Sequence, residues 1–212
     1  MTAVVMNSIA VAVIFLAAGT VRYWQGWALL SVGAACGLLS YRLLRKDPSL
    51  LERRLKFREG EASQRMIASL MYFIMGATVI VSAIDHRFRW SADIPLLAIA
   101  GDLIVAAGFY LYFLVFRENS YAGSTIEVFE GQKVISTGPY GIVRHPLYVA
   151  LLITLIGMPL ALGSYWGLLM LVPMIALIAW RLLDEERYLL KNLAGYSGYQ
   201  SQIRWRLIPG VF

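Results

Sequence analysis

Residues 147–183 read LYVALLITLIGMPLALGSYWGLLMLVPMIALIAWRLL, and this long apolar run decides the fold. A helix crossing a bilayer takes about 20 apolar residues, with roughly 17 to 25 tolerated, so the run is too long for one span. Gly157, Pro159 and Gly163-Ser164 interrupt it near the middle. Proline removes a helix hydrogen bond and glycine loosens the backbone, so the run reads as two antiparallel helices with a tight turn. Polar clusters stand at both ends. Before it lies Gly138-Pro139-Tyr140-Gly141-Ile142-Val143-Arg144-His145-Pro146-Leu147-Tyr148, and after it Arg181 with Asp184-Glu185-Glu186. Two polar clusters bracketing one hydrophobic hairpin predict a site at the membrane surface, where a charged cofactor meets a greasy substrate.

The rest of the chain agrees with a membrane setting. Its 212 residues are 59% hydrophobic and only 15% charged, with a mean hydropathy of +0.64. Soluble domains run nearer half apolar and a quarter charged. The first apolar run begins at Ala3 without a basic leader or a small-residue cleavage site, so it is expected to stay as a span. The single cysteine, Cys36, sits in an apolar run and reads as a small hydrophobe. The net charge of +6 resides in short loops between spans. That pattern indicates orientation and anionic lipid, and it argues against nucleic acid.

The expected architecture is all-α: a polytopic membrane bundle of about six spans. Spans are predicted over 4–21, 24–44, 66–84 and 94–116, followed by the hairpin. The segment 45–65 carries seven basic residues (Arg45, Lys46, Arg53, Arg54, Lys56, Arg58, Arg65) and is therefore expected to be cytoplasmic. Alternation then places both termini, the loop 117–146 and the tail 184–212 in the cytoplasm. Arg22, Arg87 and Arg89 fall on the far side, where snorkelling to the interface accommodates them. Residues 1–116 form the N-terminal helices, and 117–212 hold the loop, hairpin and C-terminal segment of one compact domain. Within the loop, Thr125-Ile126-Glu127-Val128-Phe129 alternates like a short strand, with Glu130-Gly131 as a turn. The stretch 196–212 mixes tyrosines, arginines and Trp205 as an interfacial segment does.

Two constellations carry chemistry. Pro146 suits the first turn of a helix, which sets His145 at the helix mouth and Tyr148 about one turn inside. Free amides at such a mouth attract an anion, and the Arg144 guanidinium can grip a carboxylate. Gly138 and Gly141 let a ligand approach the backbone. The competing reading is an interfacial anchor of arginine and tyrosine. At the other end, Arg181 can pair with Asp184 or Glu185 along one helix face. Three consecutive acids at a helix C-terminus oppose its dipole, which points to a partner such as cofactor hydroxyls or an amine. The plainer alternative is a solvated salt bridge of a few tenths of a kcal/mol. Asp102 lies inside the fourth span and is read as a packing group bonded to Ser, Thr or Arg22. His86 is expected to be solvated. His86 and His145 are far apart and the cysteine is alone, so no metal-ligand spacing is present. No glycine-rich dinucleotide loop, P-loop or nucleophile elbow is present either.

Arg144-His145-Pro146-Leu147-Tyr148, preceded by Gly138-Pro139-Tyr140, resembles the R-H-P-x-Y signature of the isoprenylcysteine carboxyl methyltransferase and phospholipid N-methyltransferase superfamily. Glu185-Glu186 with Leu189, then Gly195-Tyr196 and Tyr199, are similar to its second motif. The resemblance covers about 117–212. It implies methyl transfer from S-adenosylmethionine, held in a cytoplasm-facing pocket between the loop, the hairpin and the tail. Carried over, His145 and Tyr148 contact the cofactor, with Gly138, Tyr140 and Arg144 around it and Glu185 as a further ligand. The acid pair Glu185-Glu186 is the implied cofactor or active-site carboxylate, and Arg181, at the membrane end of its helix, is expected beside it as a catalytic group that orients an acceptor carboxylate or phosphate. The family often has glycine two places after the tyrosine, where this chain has Ala150. The implied partners are a lipophilic or lipid-linked substrate and membrane lipid, without nucleic acid or metal. Three acceptors compete: an isoprenylated cysteine carboxylate, a phospholipid amine and a small thiol. A sterol-type reductase using NADPH and a non-catalytic membrane scaffold or transporter are the readings from other classes.

Overall fold

The computed structural model describes residues 2–47, 49–51, 62–123 and 125–212. Most of the basic segment expected over 45–65 thus lies outside the described residues. Six apolar helices form: α1 (Thr2–Ala18), α2 (Trp24–Leu44), α3 (Ala62–Phe88), α4 (Pro95–Glu118), α5 (Pro146–Ala161) and α6 (Leu171–Asn192). A short helix, α7 (Tyr196–Gln202), and 3-10 turns at Gly138–Gly141 and Trp166–Met170 accompany them among the described residues. The expected all-α class holds. Four helices are long and apolar enough to cross a membrane: α2, α3, α4 and the continuous stretch Trp166–Asn192. The other two are shorter, α1 with 17 residues and α5 with 16.

Successive helices alternate in direction. One rim gathers the end of α1, the start of α2, the α3–α4 turn and the hairpin turn, tied by Tyr23 Oη donating to the Leu162 carbonyl and Ser164 Oγ to Asp85. The opposite rim gathers the start of α3, the end of α4, the start of α5 and the end of α6. There Tyr148 bonds Glu185 and Arg181 bonds Gln64.

The hairpin differs from its expected packing. Its arms are antiparallel, but α5 packs far more closely on α4 than on α6. The reason is side-chain size. Gly101 and Gly108 on α4 face Ala150, Thr154, Gly157 and Ala161 on α5. A Cβ at Gly101 would sit 2.1 Å from the Ala161 nitrogen, and one at Gly157 2.8 Å from the Gly101 carbonyl. Lipid gives helices no hydrophobic reason to associate, so such small-residue seams let backbones approach and gain dispersion contacts. Ala150 is fully buried here and its carbonyl lies 3.0 Å from a Cβ built at Gly108, so its methyl belongs to this seam. On the other flank Met71, Ile74 and Met75 of α3 pack into the cluster of Tyr148, Leu155, Met174, Ile178 and Leu182. With α5 drawn to α4 and α3 in between, the α5–α6 crevice stays open at the Tyr148 end.

Three further expectations are corrected. Residues 125–129 form no strand, and none forms among the described residues, because no second strand lies beside them to pair their amides. The 130–131 turn does form, with Gly131 at φ 72°. His86 is not simply solvated but stacks on buried Tyr23, ring centroids 3.9 Å apart. Asp102 Oδ1 is buried and finds no hydrogen-bond partner among the described residues, so the expected bond to Ser, Thr or Arg22 is not made through that oxygen.

The α4–α5 seam predicts unequal glycine tolerance. Gly101→Ala forces the two backbones apart and should cost about 1–3 kcal/mol, as overpacking does. Gly33→Ala meets nothing within 4 Å and should stay close to parental stability. Thermal unfolding in detergent micelles checks this, and equal midpoints would refute the close contact.

Candidate active site

Pro146 opens α5 and has no amide hydrogen to satisfy, so the chain enters the helix directly from Arg144-His145. The amides of these two residues are not free. Arg144 N donates to the Trp205 carbonyl at 2.9 Å and His145 N to that of Arg206 at 3.0 Å. The anion-attracting mouth expected from the sequence is therefore capped by the C-terminal strap. That strap is itself closed by the Phe212 carbonyl, which accepts from the amides of Arg206, Leu207 and Ile208.

The two distant motifs meet on the Glu186 carboxylate. Arg144 Nε lies 2.7 Å from Glu186 Oε1 and His145 Nε2 3.2 Å from the same oxygen. Arg206 Nε reaches Oε2 at 3.0 Å. Arg144, His145 and Glu186 are all buried. The three acids at the end of α6 are thus tolerated because cations and donors surround them. Glu185 behaves differently. Its side chain is a quarter exposed, and its Oε2 accepts the Tyr148 hydroxyl at 2.7 Å. Arg181 donates to Tyr148 Oη at 3.1 Å and to Gln64 Oε1 at 3.1 Å, while Gln64 donates in turn to the Asp184 carboxylate. The link from Arg181 to Asp184 therefore runs through a glutamine on another helix.

A cavity of about 450 Å³ opens beside this network. Tyr140, Arg144, His145, Tyr148, Arg181 and Glu185 all line it. Two expected site residues do not. Glu186 is consumed behind the wall by its three partners. Gly138 sits away from the cavity at φ 57°, where its missing side chain lets the turn close on Glu118, whose carboxyl carbon is 3.1 Å from an added Cβ. The Thr137 hydroxyl bonds that same carboxylate.

The cavity has two characters. Its inner flank is apolar, with Ala68, Met71 and Met75 of α3 facing Leu151 of α5 and Met174 of α6. Its other end is roofed by residues 121–123, 125–127 and 132–135 and floored by Tyr196 and Tyr199. Val128 and Val134 pack on those two tyrosines and so hold the loop down. Tyr199 Oη donates to the Tyr140 carbonyl at 2.8 Å, whereas Tyr196 Oη is buried with no partner among the described residues. Burial, reinforced for Tyr196 by nearby Glu186, pushes both phenols well above their ordinary pKa. Tyr196 therefore keeps its proton and presents an unused donor to the cavity.

Sequence reasoning did not find Gln64, which sits in a polar stretch without a motif. It also left Arg206 undistinguished among the tail arginines. The only signal for either was a polar side chain next to an apolar run.

Residues 96–195 match the family model described as phospholipid methyltransferase. The matched stretch holds the glycine seam, the Arg-His-Pro turn and the acid pair. No curated protein matches the chain.

Removing Glu186 leaves Arg144 buried against no carboxylate and frees Arg206. Glu186→Ala should therefore destabilise the fold by about 3–5 kcal/mol, the usual penalty for stripping one partner from a buried ion pair. Glu185→Ala, at a partly exposed carboxylate, should cost much less. Parallel melts of the two variants in detergent decide this, and similar losses would contradict the distinct environments of the two acids.

Proposed function

We propose, from the match of residues 96–195 to the phospholipid methyltransferase model, that this protein is a membrane methyltransferase that moves the methyl group of S-adenosylmethionine onto a lipophilic acceptor. The observation carrying this reading is that one cavity joins a phenol- and carboxylate-lined chamber to an apolar flank between α3, α5 and α6. A water-soluble cation and a greasy nucleophile need such a two-sided space. Its volume of about 450 Å³ falls in the range of roughly 300–1,000 Å³ usual for small-molecule sites. The unpartnered Tyr196 hydroxyl supports a polar ligand at the chamber end.

When bound, S-adenosylmethionine supplies a methyl carbon on a sulfonium, and the carbon–sulfur bonding pair leaves with sulfur. The residues supply alignment and a dry path. Ring faces of Tyr140, Tyr148 and Tyr199 favour a cation, and the Glu185 carboxylate adds its charge. His145 borders the same chamber, fixed by Glu186. Tyr196 donates to a carboxylate or hydroxyl of the cofactor. Glu186 and Arg144 act as positioning residues, a revision of the catalytic role first given to Glu186. Arg181, braced by Gln64 and Tyr148, turns toward an acceptor carboxylate or phosphate entering along the apolar flank. An amine acceptor must also lose a proton as its nitrogen bonds the methyl carbon, and Glu185 is the carboxylate placed to take it. A carboxylate or thiolate acceptor has no proton to lose. The match over 96–195 supports methyl transfer over the NADPH reductase reading, and its description supports a phospholipid amine as the acceptor to test beside a prenylcysteine carboxylate and a thiol.

Calorimetric titration with S-adenosylmethionine tests the chamber. The parent should bind, and Tyr196→Phe should weaken binding about 10-fold, the worth of one hydrogen bond to a charged group. Because the hydroxyl has no partner among the described residues, the ligand-free melting point should not fall. Absence of binding by the parent would overturn the proposal. Radiolabel transfer to amine-lipid, prenyl-cysteine and thiol acceptors then identifies the acceptor, and Arg181→Ala should raise its KM far more than the cofactor Kd.

A further inference from the structure

At the rim opposite the active site a second cavity, of about 720 Å³, opens between the ends of α1, α3 and α5. Its acids are already engaged. Asp85, almost completely buried, accepts from Ser91 N at 2.7 Å, Ser91 Oγ at 2.6 Å and Ser164 Oγ at 2.5 Å. Asp93 accepts from Gln25 Nε2 at 2.9 Å. Two cations lining it, Arg87 and Arg89, have no hydrogen-bond or ion-pair partner among the described residues, and the Arg87 guanidinium lies over the Phe88 ring at 5.7 Å and beside the Gly19 backbone.

Arg89 is also strained. It ends α3 at φ 55°, while Trp90 N closes back on the Asp85 carbonyl at 3.3 Å. Glycine normally fills that left-handed position, and an L side chain there costs about 1–2 kcal/mol. Helix termination alone would favour glycine, so the guanidinium is the feature that needs a reason.

Two observations say what the cations face. Gln25 is 2% exposed, lines the cavity, and its Oε1 is buried with no partner among the described residues. An acceptor left bare in this way fits a ligand N–H or O–H. Around the opening stand exposed Trp24, Trp27, Phe88, Trp90, Tyr165 and Trp166, with Trp90 edge-on to Trp166 at 6.2 Å. Such a belt marks the depth of lipid head groups.

We propose that this rim is a structural binding site for a glycerophospholipid whose head group carries both a phosphate and a hydrogen-bond donor. The phosphate lies against Arg87 and Arg89, the match guanidinium groups make with phosphate oxygens. The amine or hydroxyl reaches Gln25 Oε1, and the acyl chains run down the aromatic belt. This site is separate from the methyl-transfer cavity and does not depend on its assignment.

The test uses full-length protein, stripped of lipid in a mild detergent and titrated with phosphatidylethanolamine, phosphatidylcholine or water-soluble phosphoethanolamine. Native mass spectrometry reads the bound lipid. One phosphatidylethanolamine should be retained, with phosphatidylcholine, which lacks the donor, held at least about fivefold less. Phosphoethanolamine should not compete at equal concentration. Arg89→Gly should raise the melting point of the stripped protein by relieving strain, yet weaken lipid retention about 10-fold. Arg87→Gln should weaken retention without changing the stripped melting point. S-adenosylmethionine binding, if present, should be unaltered by either change. Unchanged retention in both variants would place the lipid in the other cavity and overturn the proposal. So would equal retention of phosphatidylcholine, or competition by phosphoethanolamine, which marks a site for soluble anions.

Discussion

A single carboxylate, that of Glu186, joins three chain segments at the rim of the candidate site. It receives Arg144 and His145 from the turn before α5 and Arg206 from the C-terminal strap, while standing on α6. Moving several charged groups from water into this setting is expensive, and each would be untenable alone. Together they neutralise one another and lock three chain segments in one register. The strap adds main-chain bonds to Arg144 and His145, so the start of α5 is fixed by backbone as well as charge. Tyr148 and Glu185 then face the cavity from supports that do not move independently.

Helix packing sets the shape around that lock. The glycine seam pulls α5 onto α4, and α3 takes the place beside α6 that a simple hairpin would have given to α5. The crevice left between α5 and α6 is apolar on its inner flank and polar at its end because different elements line it. Three membrane helices supply the apolar side, and a loop held by Val128 and Val134 supplies the roof. Division of labour between the neighbouring acids follows from helical geometry. Adjacent residues on a helix point about 100° apart, so Glu185 meets the cavity while Glu186 meets the strap.

The two rims of the bundle use polar groups in opposite ways. At the candidate-site rim Arg144, His145 and Arg206 pair with Glu186, and the buried Tyr196 hydroxyl is the group left without a partner among the described residues. At the far rim the acids are satisfied by serines, an amide and glutamine, and Arg87 and Arg89 stand beside aromatics with no hydrogen-bond or ion-pair partner among the described residues. A closed network suits a reaction chamber that must hold its geometry. Unpaired guanidinium groups suit a boundary with phosphate.

Much was legible in the sequence, because hydrophobic run length and helix breakers act locally. The all-α class, the helix positions and the break at Gly163 needed no tertiary knowledge, and the motifs that hold Arg144, His145, Tyr148, Arg181 and Glu185, which line one cavity, stand out in the sequence. The family motifs lie in continuous stretches, and the match over 96–195 agrees with them. Tertiary structure alone decided the rest. Which acid faces the cavity, that Gly138 turns to Glu118, that α5 seeks α4, and that Gln64 and Arg206 complete the network all depend on contacts between residues far apart in the chain. Strand alternation at 125–129 misled because pairing needs a neighbour, which a single segment cannot reveal. Local patterns fix what each segment becomes; only the approach of distant segments fixes what each side chain touches.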